Sequence, residues 1–360
     1  MRVPLFATSL EPHLPAIADR LGEVAASGKY ILGPEVEAFE REFADYTGAR
    51  HCIGVANGTE AISIALRAAG VERGDEVVVP SFTFYATAEA VAAIGAVPVF
   101  CDVEADTMCV SARTVETALT ERTKAIVPVH LFGCVAPVAE LRRFGLPLIE
   151  DAAQAAGAER DGARAGALGD AATFSFFPSK NLPCLGDGGA ITTSDDDLAA
   201  GARRLRFHGS EDKATFTEVG YNSRLDSLQA AVLRTLLPEL DGWTAARGEV
   251  AAAYDAEGLG DHVAPPHVPD GVRHAYHLYV ARHDDAEELR EALAGHGVAA
   301  RGYYRVPVHR QPAMAPYAPD GLELPVTDEL ARTHLALPMG PELERDQVRE
   351  VVAACASGST

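Results

Sequence analysis

"TFSFFPSKNLPCLGDGGAITT", residues 173–193, sets one lysine between an aromatic run and a glycine cluster. The chain carries only four lysines against twenty-seven arginines, so the placement of Lys180 needs a reason. Lys29 ("ASGKYIL"), Lys124 ("ERTKAIV") and Lys213 ("SEDKATF") stand beside turn residues or charges, where an ammonium is readily hydrated. Lys180 is flanked by Phe174, Phe176, Phe177 and Leu182. Apolar surroundings disfavour the charged form, which lowers the pKa and frees the amine as a nucleophile. The competing reading is a lysine that snorkels to the surface, and these residues alone do not separate the two. On either side, "AATFSFF" and "GGAITTS" read as strands, with the lysine turn between them.

Working outward, the same alternation fills the chain upstream. "HCIGVA" is followed by "GTEAISIALRAAG", "DEVVVPS" by "FYATAEAVAAIG", and "VPVFCDV" by "SARTVETALT". "KAIVPVH" then precedes "PVAELRRFG", and "PLIEDAA" follows. Short apolar runs alternating with helix-like runs predict an α/β fold with a largely parallel central sheet. "PHLPAIADRLGEVAASG" and "PEVEAFEREFADYTG" carry apolar residues at helical spacing and end at glycine. A long helical stretch from Ser223 is interrupted near Pro238. Beyond it, "PPHVPDG" is a turn, "HAYHLYVAR" reads as a strand, and "DAEELREALAGHG" and "RDQVREVVAAC" read as helices. The expected division is a large α/β domain over 1–240 and a smaller α+β domain over 241–360, with disorder only in the terminal "SGST".

Composition removes whole classes of function. A net charge of −21 opposes a nucleic-acid or anionic-membrane surface, both of which need clustered cations. It leaves room for an anionic small ligand in a local pocket. The six cysteines are scattered without a C-x-x-C pair, which predicts reduced thiols rather than disulfides or a zinc site. No apolar run approaches a membrane span, so a cytoplasmic protein is expected. His274 and His277 would face opposite sides of a strand, which argues against a metal pair; no metal site is expected. "LGDGGA" lacks the spacing and strand-to-helix setting of a dinucleotide fingerprint and reads as a tight turn.

Three features converge on the carboxyl ends of the predicted strands, where open α/β sheets bind ligands. "VANGTEA" offers the Gly58 and Thr59 amides and the Thr59 hydroxyl to a phosphate at a helix start, although an ordinary N-cap would read the same way. "PLIEDAAQAAG" puts Asp151 just after an apolar strand, with Gln154 a turn later. Lys180 is the third. Phosphate cradle, acid and buried amine together fit pyridoxal phosphate (PLP), which requires a lysine, a carboxylate for its ring nitrogen and a phosphate site.

The sequence resembles the DegT/StrS family of PLP-dependent nucleotide-sugar aminotransferases, which have the aspartate-aminotransferase-like type I fold. "YILGPEVEAFEREFADYTG", "VANGTEAISIALRAAG", "GDEVVVPSFTFYATAEAV", "IEDAAQAAGA", "FSFFPSKNL", "GDGGAITTSD", "GYNSRLDSLQAAVL" and "YYRVPVHRQPA" occur in the family's order, over almost the whole chain. The resemblance implies that Lys180 binds the cofactor covalently and moves the reaction's proton. It further implies that Asp151 pairs with the ring nitrogen, Gln154 bonds the phenolic oxygen and Phe84 stacks on the ring. Gly58, Thr59 and Ser175 would hold the phosphate. Asn222 would reach it from the neighbouring subunit, which makes the expected assembly a homodimer with shared active sites. Tyr30, Tyr304 and His309 lie where the family contacts its sugar nucleotide.

The implied reaction moves an amino group from L-glutamate to a nucleotide-linked keto sugar. "PSKNLPCLGDGGA" resembles members acting on 3-oxo sugars, with Pro183–Cys184 as a departure from their small residues. A 4-oxo sugar or a keto-inositol is the alternative within the family. A PLP-dependent lyase or desulfurase would need its own acid or thiol, and Cys184 stands only four residues past Lys180. A non-catalytic regulatory protein on this fold would be expected to have lost part of the cofactor set.

Overall fold

Most strands of the central sheet are short apolar runs, because an interior parallel strand is covered on both faces. In chain order the strands are β1 His51–Val55, β2 Glu76–Pro80, β3 Val97–Cys101, β4 Thr123–Ile126, β5 Ile149–Asp151, β6 Glu159–Arg160, β7 Ala163–Arg164, β8 Ala171–Ser175, β9 Gly189–Thr193, β10 Val272–Arg273, β11 Tyr279–Arg282 and β12 His334–Leu337. They come from a computed structural model that describes residues 2–358. β3, β2 and β4 pair in parallel. Parallel bridges Ile126–Leu148 and Val129–Asp151 connect β4 to β5, which pairs in parallel with β8. β9 runs antiparallel to both β8 and β1. The order is therefore β3-β2-β4-β5-β8-β9-β1 with β9 alone reversed, a mixed and mostly parallel α/β sheet.

Helices α1 Leu14–Ser27, α2 Pro34–Thr47, α3 Gly58–Ala68 and α4 Ala86–Ala93 follow the predicted segments. One core joins Ile53 and Val55 of β1 to Ile62 and Leu66 of α3, Val77 and Val79 of β2, and Val91 of α4. A second joins Phe39 and Phe43 of α2 to Phe174 and Phe176, with the Phe43 and Phe174 rings edge-on at 4.9 Å. The long helical stretch breaks where proline predicts: Ser227–Leu236, a single 3₁₀ turn over Leu237–Glu239, then Leu240–Ala256. Toward the C-terminus the antiparallel pair β11–β12 packs with helices Ala286–Gly295 and Arg345–Gly358 around Tyr254, Tyr279, Leu289 and Val351. Val3 and Phe6 bridge to Val298 and Met339, so the first residues are stitched to the last third of the chain.

Several segments differ from expectation. "SARTVETALT" gives only Ala112–Glu116 as helix. "HAYHLYVAR" becomes a strand only at Tyr279, because Tyr276 takes a positive φ of 44° and its amide donates to His274 Nδ1 at 2.9 Å. His274 and His277 therefore do not alternate along a strand. Ser357 and Gly358 close the last helix instead of fraying, while Ser359 and Thr360 lie outside the described residues. All six cysteines are buried. Among the described residues no helix is long and apolar enough to cross a membrane.

Candidate active site

Four strand ends open into one cavity of about 400 Å³, within the range of about 300–1,000 Å³ usual for small-molecule sites. β1 leads to Asn57, Gly58 and Thr59, β2 to Thr83 and Phe84, β5 to Asp151 and Gln154, and β8 to Ser175 and Lys180; all of these line it. This is the carboxyl edge of the sheet, where helix starts and strand ends meet.

Lys180 sits on the loop joining β8 to β9, whose pairing stops at Ser175 and Gly189. The loop is fastened at both ends by Phe176 N to Gly188 O at 2.8 Å and Cys184 N to Phe176 O at 2.7 Å. Within it Lys180 N bonds Phe177 O at 2.8 Å, and the next residue, Asn181, donates to Ala275 O at 2.8 Å. The other three lysines are exposed; Lys180 is half-buried and lines the cavity. Protein around it lowers its ammonium to about 8, working against the attraction of Asp151. That favours an amine that is substantially neutral near pH 8.

Asp151 is fixed by the ladder that holds its backbone: its N bonds Pro128 O at 2.9 Å and its O accepts from His130 N at 3.0 Å. Its side chain accepts from Thr87 Oγ1 at 2.8 Å and from Ala153 N at 3.2 Å. Because strand side chains alternate, Glu150 points to the opposite face. There it accepts from His130 Nε2 at 2.7 Å and from the Leu168 and Gly169 amides at 2.8 and 2.7 Å. Gln154 accepts from Phe132 N at 2.7 Å and donates to Tyr304 OH at 3.1 Å. Burial raises the Tyr304 phenol far above its ordinary value, so it stays neutral.

The turn before α3 serves as both N-cap and cradle. Asn57 Oδ1 accepts from Glu60 N at 2.8 Å. The amides of Gly58 and Thr59 belong to the first turn and have no carbonyl within the helix to bond. Close approach fixes the glycines: a Cβ on Gly58 would lie 2.8 Å from Ser175 Cβ, and one on Gly189 would lie 2.5 Å from the Asn57 carbonyl. Amides, the Thr59 and Ser175 hydroxyls, a buried amine and a carboxylate on one cavity fit pyridoxal phosphate in charge and donor chemistry. Phe84, 53% exposed, lies 5.7 Å from the Tyr304 ring across the opening.

Three expected residues lie apart from the cavity lining of a single chain. Tyr30 is exposed and donates to Ala25 O at 3.0 Å. Asn222 is exposed and bridges to Phe207. His309 is buried with Nδ1 2.6 Å from Ser81 Oγ, while Arg310 Nε donates to its Nε2 at 3.3 Å. Reading the sequence missed Thr83, Thr87 and His277, which border the cavity or Asp151. Burial, reinforced by Lys180 and Arg247, holds His277 well below the ordinary histidine value and keeps it neutral. Cys184 does not line the cavity; its thiol donates to Gly186 O at 3.2 Å and burial pushes it up to about 12.

Comparison with known proteins agrees with this geometry. The model of the DegT/DnrJ/EryC1/StrS aminotransferase family matches residues 15–356. A pleiotropic regulatory protein of Geobacillus stearothermophilus is 45% identical, covering 98% of this chain and 97% of its own. A dTDP-3-amino-3,4,6-trideoxy-alpha-D-glucose transaminase of Streptomyces venezuelae is also 45% identical, covering 93% of this chain and 89% of its own. The crystal structure of S. venezuelae DesV in complex with a ketimine intermediate superposes with a TM-score of 0.95 at 42% identity, covering 99% of each chain.

Proposed function

The chain belongs to the DegT/DnrJ/EryC1/StrS aminotransferase family and is a PLP-dependent aminotransferase of fold type I; from that premise we propose that it moves an amino group from L-glutamate to a nucleotide-linked 3-oxo sugar. The observation that carries the site assignment is the meeting of a half-buried lysine, a fixed carboxylate and a glycine-bounded amide cradle on one cavity. Pyridoxal phosphate, when bound, supplies an aldehyde to carry the amino group and a ring to take up electrons. Lys180 would hold it covalently, and its Nζ would take and return the proton of the donor's carbon, a task suited to an amine with pKa about 8. Asp151 would hold the ring nitrogen's proton. Gln154, tied to Phe132 N, would orient the phenolic oxygen, and Phe84 would cover the ring. Gly58, Thr59 and Ser175 would bind the phosphate.

Amination at C3 draws support from the Streptomyces venezuelae relative, whose name places its amino group there. The regulatory name of the Geobacillus relative belongs to that protein; here Gly58, Thr59, Asp151, Gln154, Ser175 and Lys180 all line one cavity, which supports catalysis. A thiol-dependent lyase lacks support, since no cysteine lines the cavity. The enzyme works as a cytoplasmic homodimer in this reading, with Asn222 acting in the neighbouring site and Tyr30, Tyr304 and His309 on the sugar nucleotide. Phe84 and Phe177, each about half exposed and lining the cavity, support a covering partner. We keep the division into a large cofactor-binding part, 1–240, and a smaller part, 241–360.

The test is a pair of half-reactions followed by absorbance. Glutamate should convert the bound cofactor to its aminated form. After removal of free glutamate, dTDP- or UDP-linked 3-oxo sugars should reverse the change, and 4-oxo sugars and keto-inositol should not. Reversal by a 4-oxo sugar or keto-inositol alone would overturn the C3 assignment, and no response to glutamate would overturn the donor.

A further inference from the structure

We infer that Thr87, oriented by Thr83, is a positioning residue that fixes the Asp151 carboxylate. Thr87 lies in the first turn of α4, and Thr83 stands four residues earlier, just after β2. Both side chains are buried, at 0% and 2% exposure. Thr87 Oγ1 lies 2.8 Å from Asp151 Oδ2 and 3.1 Å from Thr83 Oγ1.

The direction of these bonds follows from counting hydrogens. A hydroxyl has one to give, and an ionised carboxylate can only accept. The Thr87 hydrogen therefore goes to Asp151, and Thr83 must donate to Thr87. The two hydroxyls form a directed chain, in which each bond polarises the next. Ala153 N supplies the donor to the other oxygen, Oδ1, at 3.2 Å. Each carboxylate oxygen thus has its own donor. Together the two donors fix the plane of the group.

This inference rests on the reading that Asp151 faces the ring nitrogen of pyridoxal phosphate. Valine matches threonine in shape but lacks the hydroxyl, so Thr87→Val removes the donor and leaves the packing. Apoprotein titrated with pyridoxal phosphate should show binding weakened about tenfold to a hundredfold in Thr87→Val, the scale of one lost hydrogen bond to a charged group. The pH at which the bound cofactor's absorbance changes should also move. Thr87→Ser should restore both, and Thr83→Val should give a smaller loss. In the Asp151→Ala background Thr87→Val should add nothing, because the hydroxyl acts only through that carboxylate.

Equal binding and an unmoved absorbance profile in Thr87→Val would overturn the inference. So would a full extra loss on top of Asp151→Ala, which would mark a packing role. A wild-type apoprotein that took up no pyridoxal phosphate would overturn the functional reading as well. Wild-type binding with an unaffected Thr87→Val would overturn only the role of Thr87.

Discussion

Lys180 differs from the other three lysines of the chain by what surrounds it, and the consequence can be measured without substrate. Burial lowers its pKa from 10.5 to about 8, so holding it charged inside the apoprotein works against folding. Below pH 8 both folded and unfolded chains carry the proton, and the penalty is complete, at most about 3 kcal/mol. As pH rises from 8 to 10.5 the folded form is neutral while the unfolded form remains charged, and the penalty fades. Lys180→Met should therefore stabilise the apoprotein at pH 7 and converge with wild type above pH 10.5. Denaturant midpoints across that range check it, and a difference independent of pH would contradict it. At this scale Lys180 and Asp151 were legible only together with the Gly58–Thr59 turn, because a lysine among aromatics or a carboxylate after an apolar strand is ambiguous by itself. Thr83 and Thr87 were not, since a hydroxyl near a helix start looks the same whether it bonds solvent or a carboxylate.

At the scale of elements, the site depends on how closely the turn before α3 approaches the end of β8. Gly58→Ala places a Cβ 2.8 Å from Ser175 Cβ, against strand-borne backbone that cannot move aside. The turn must shift and carry the Gly58 and Thr59 amides with it. Binding of pyridoxal phosphate should fall by tenfold or more. Gly22→Ala is the matched control: nothing lies within 4 Å of its added Cβ, and it sits inside α1, so it should raise stability by about 0.5–1 kcal/mol and leave binding intact. Equal cofactor affinity in Gly58→Ala, measured by fluorescence titration, would remove the turn from the site. The strands and helices around this turn were legible in the alternation of the sequence. "HAYHLYVAR" was misread because its period suits a strand, while residues 274–278 pack irregularly against the 132–133 turn: Ala275 N bonds Gly133 O at 2.9 Å, and a Cβ on Gly133 would lie 2.7 Å from Tyr276 N. Nothing local announces a contact made by residues more than a hundred positions away.

Over the whole molecule, the mostly parallel sheet gathers the ends of β1, β2, β5 and β8 on one edge, and the single reversed strand, β9, returns the chain past Lys180. The fold class was legible because parallel strands and their helices alternate in sequence. The order β3-β2-β4-β5-β8-β9-β1 was not, since pairing depends on long-range fit rather than on any one segment. A net charge of −21 coexists with a cradle for an anion because the cradle is made of amides, hydroxyls and one amine. Every role assigned above depends on Lys180 being the residue that carries the cofactor. Reducing the cofactor-loaded protein with borohydride, digesting it and locating the modified lysine by mass spectrometry tests this directly. The reduced cofactor should be found on Lys180 alone; a label on Lys29, Lys124 or Lys213, or no label on a protein that still transfers amino groups, would show that Lys180 does not carry it.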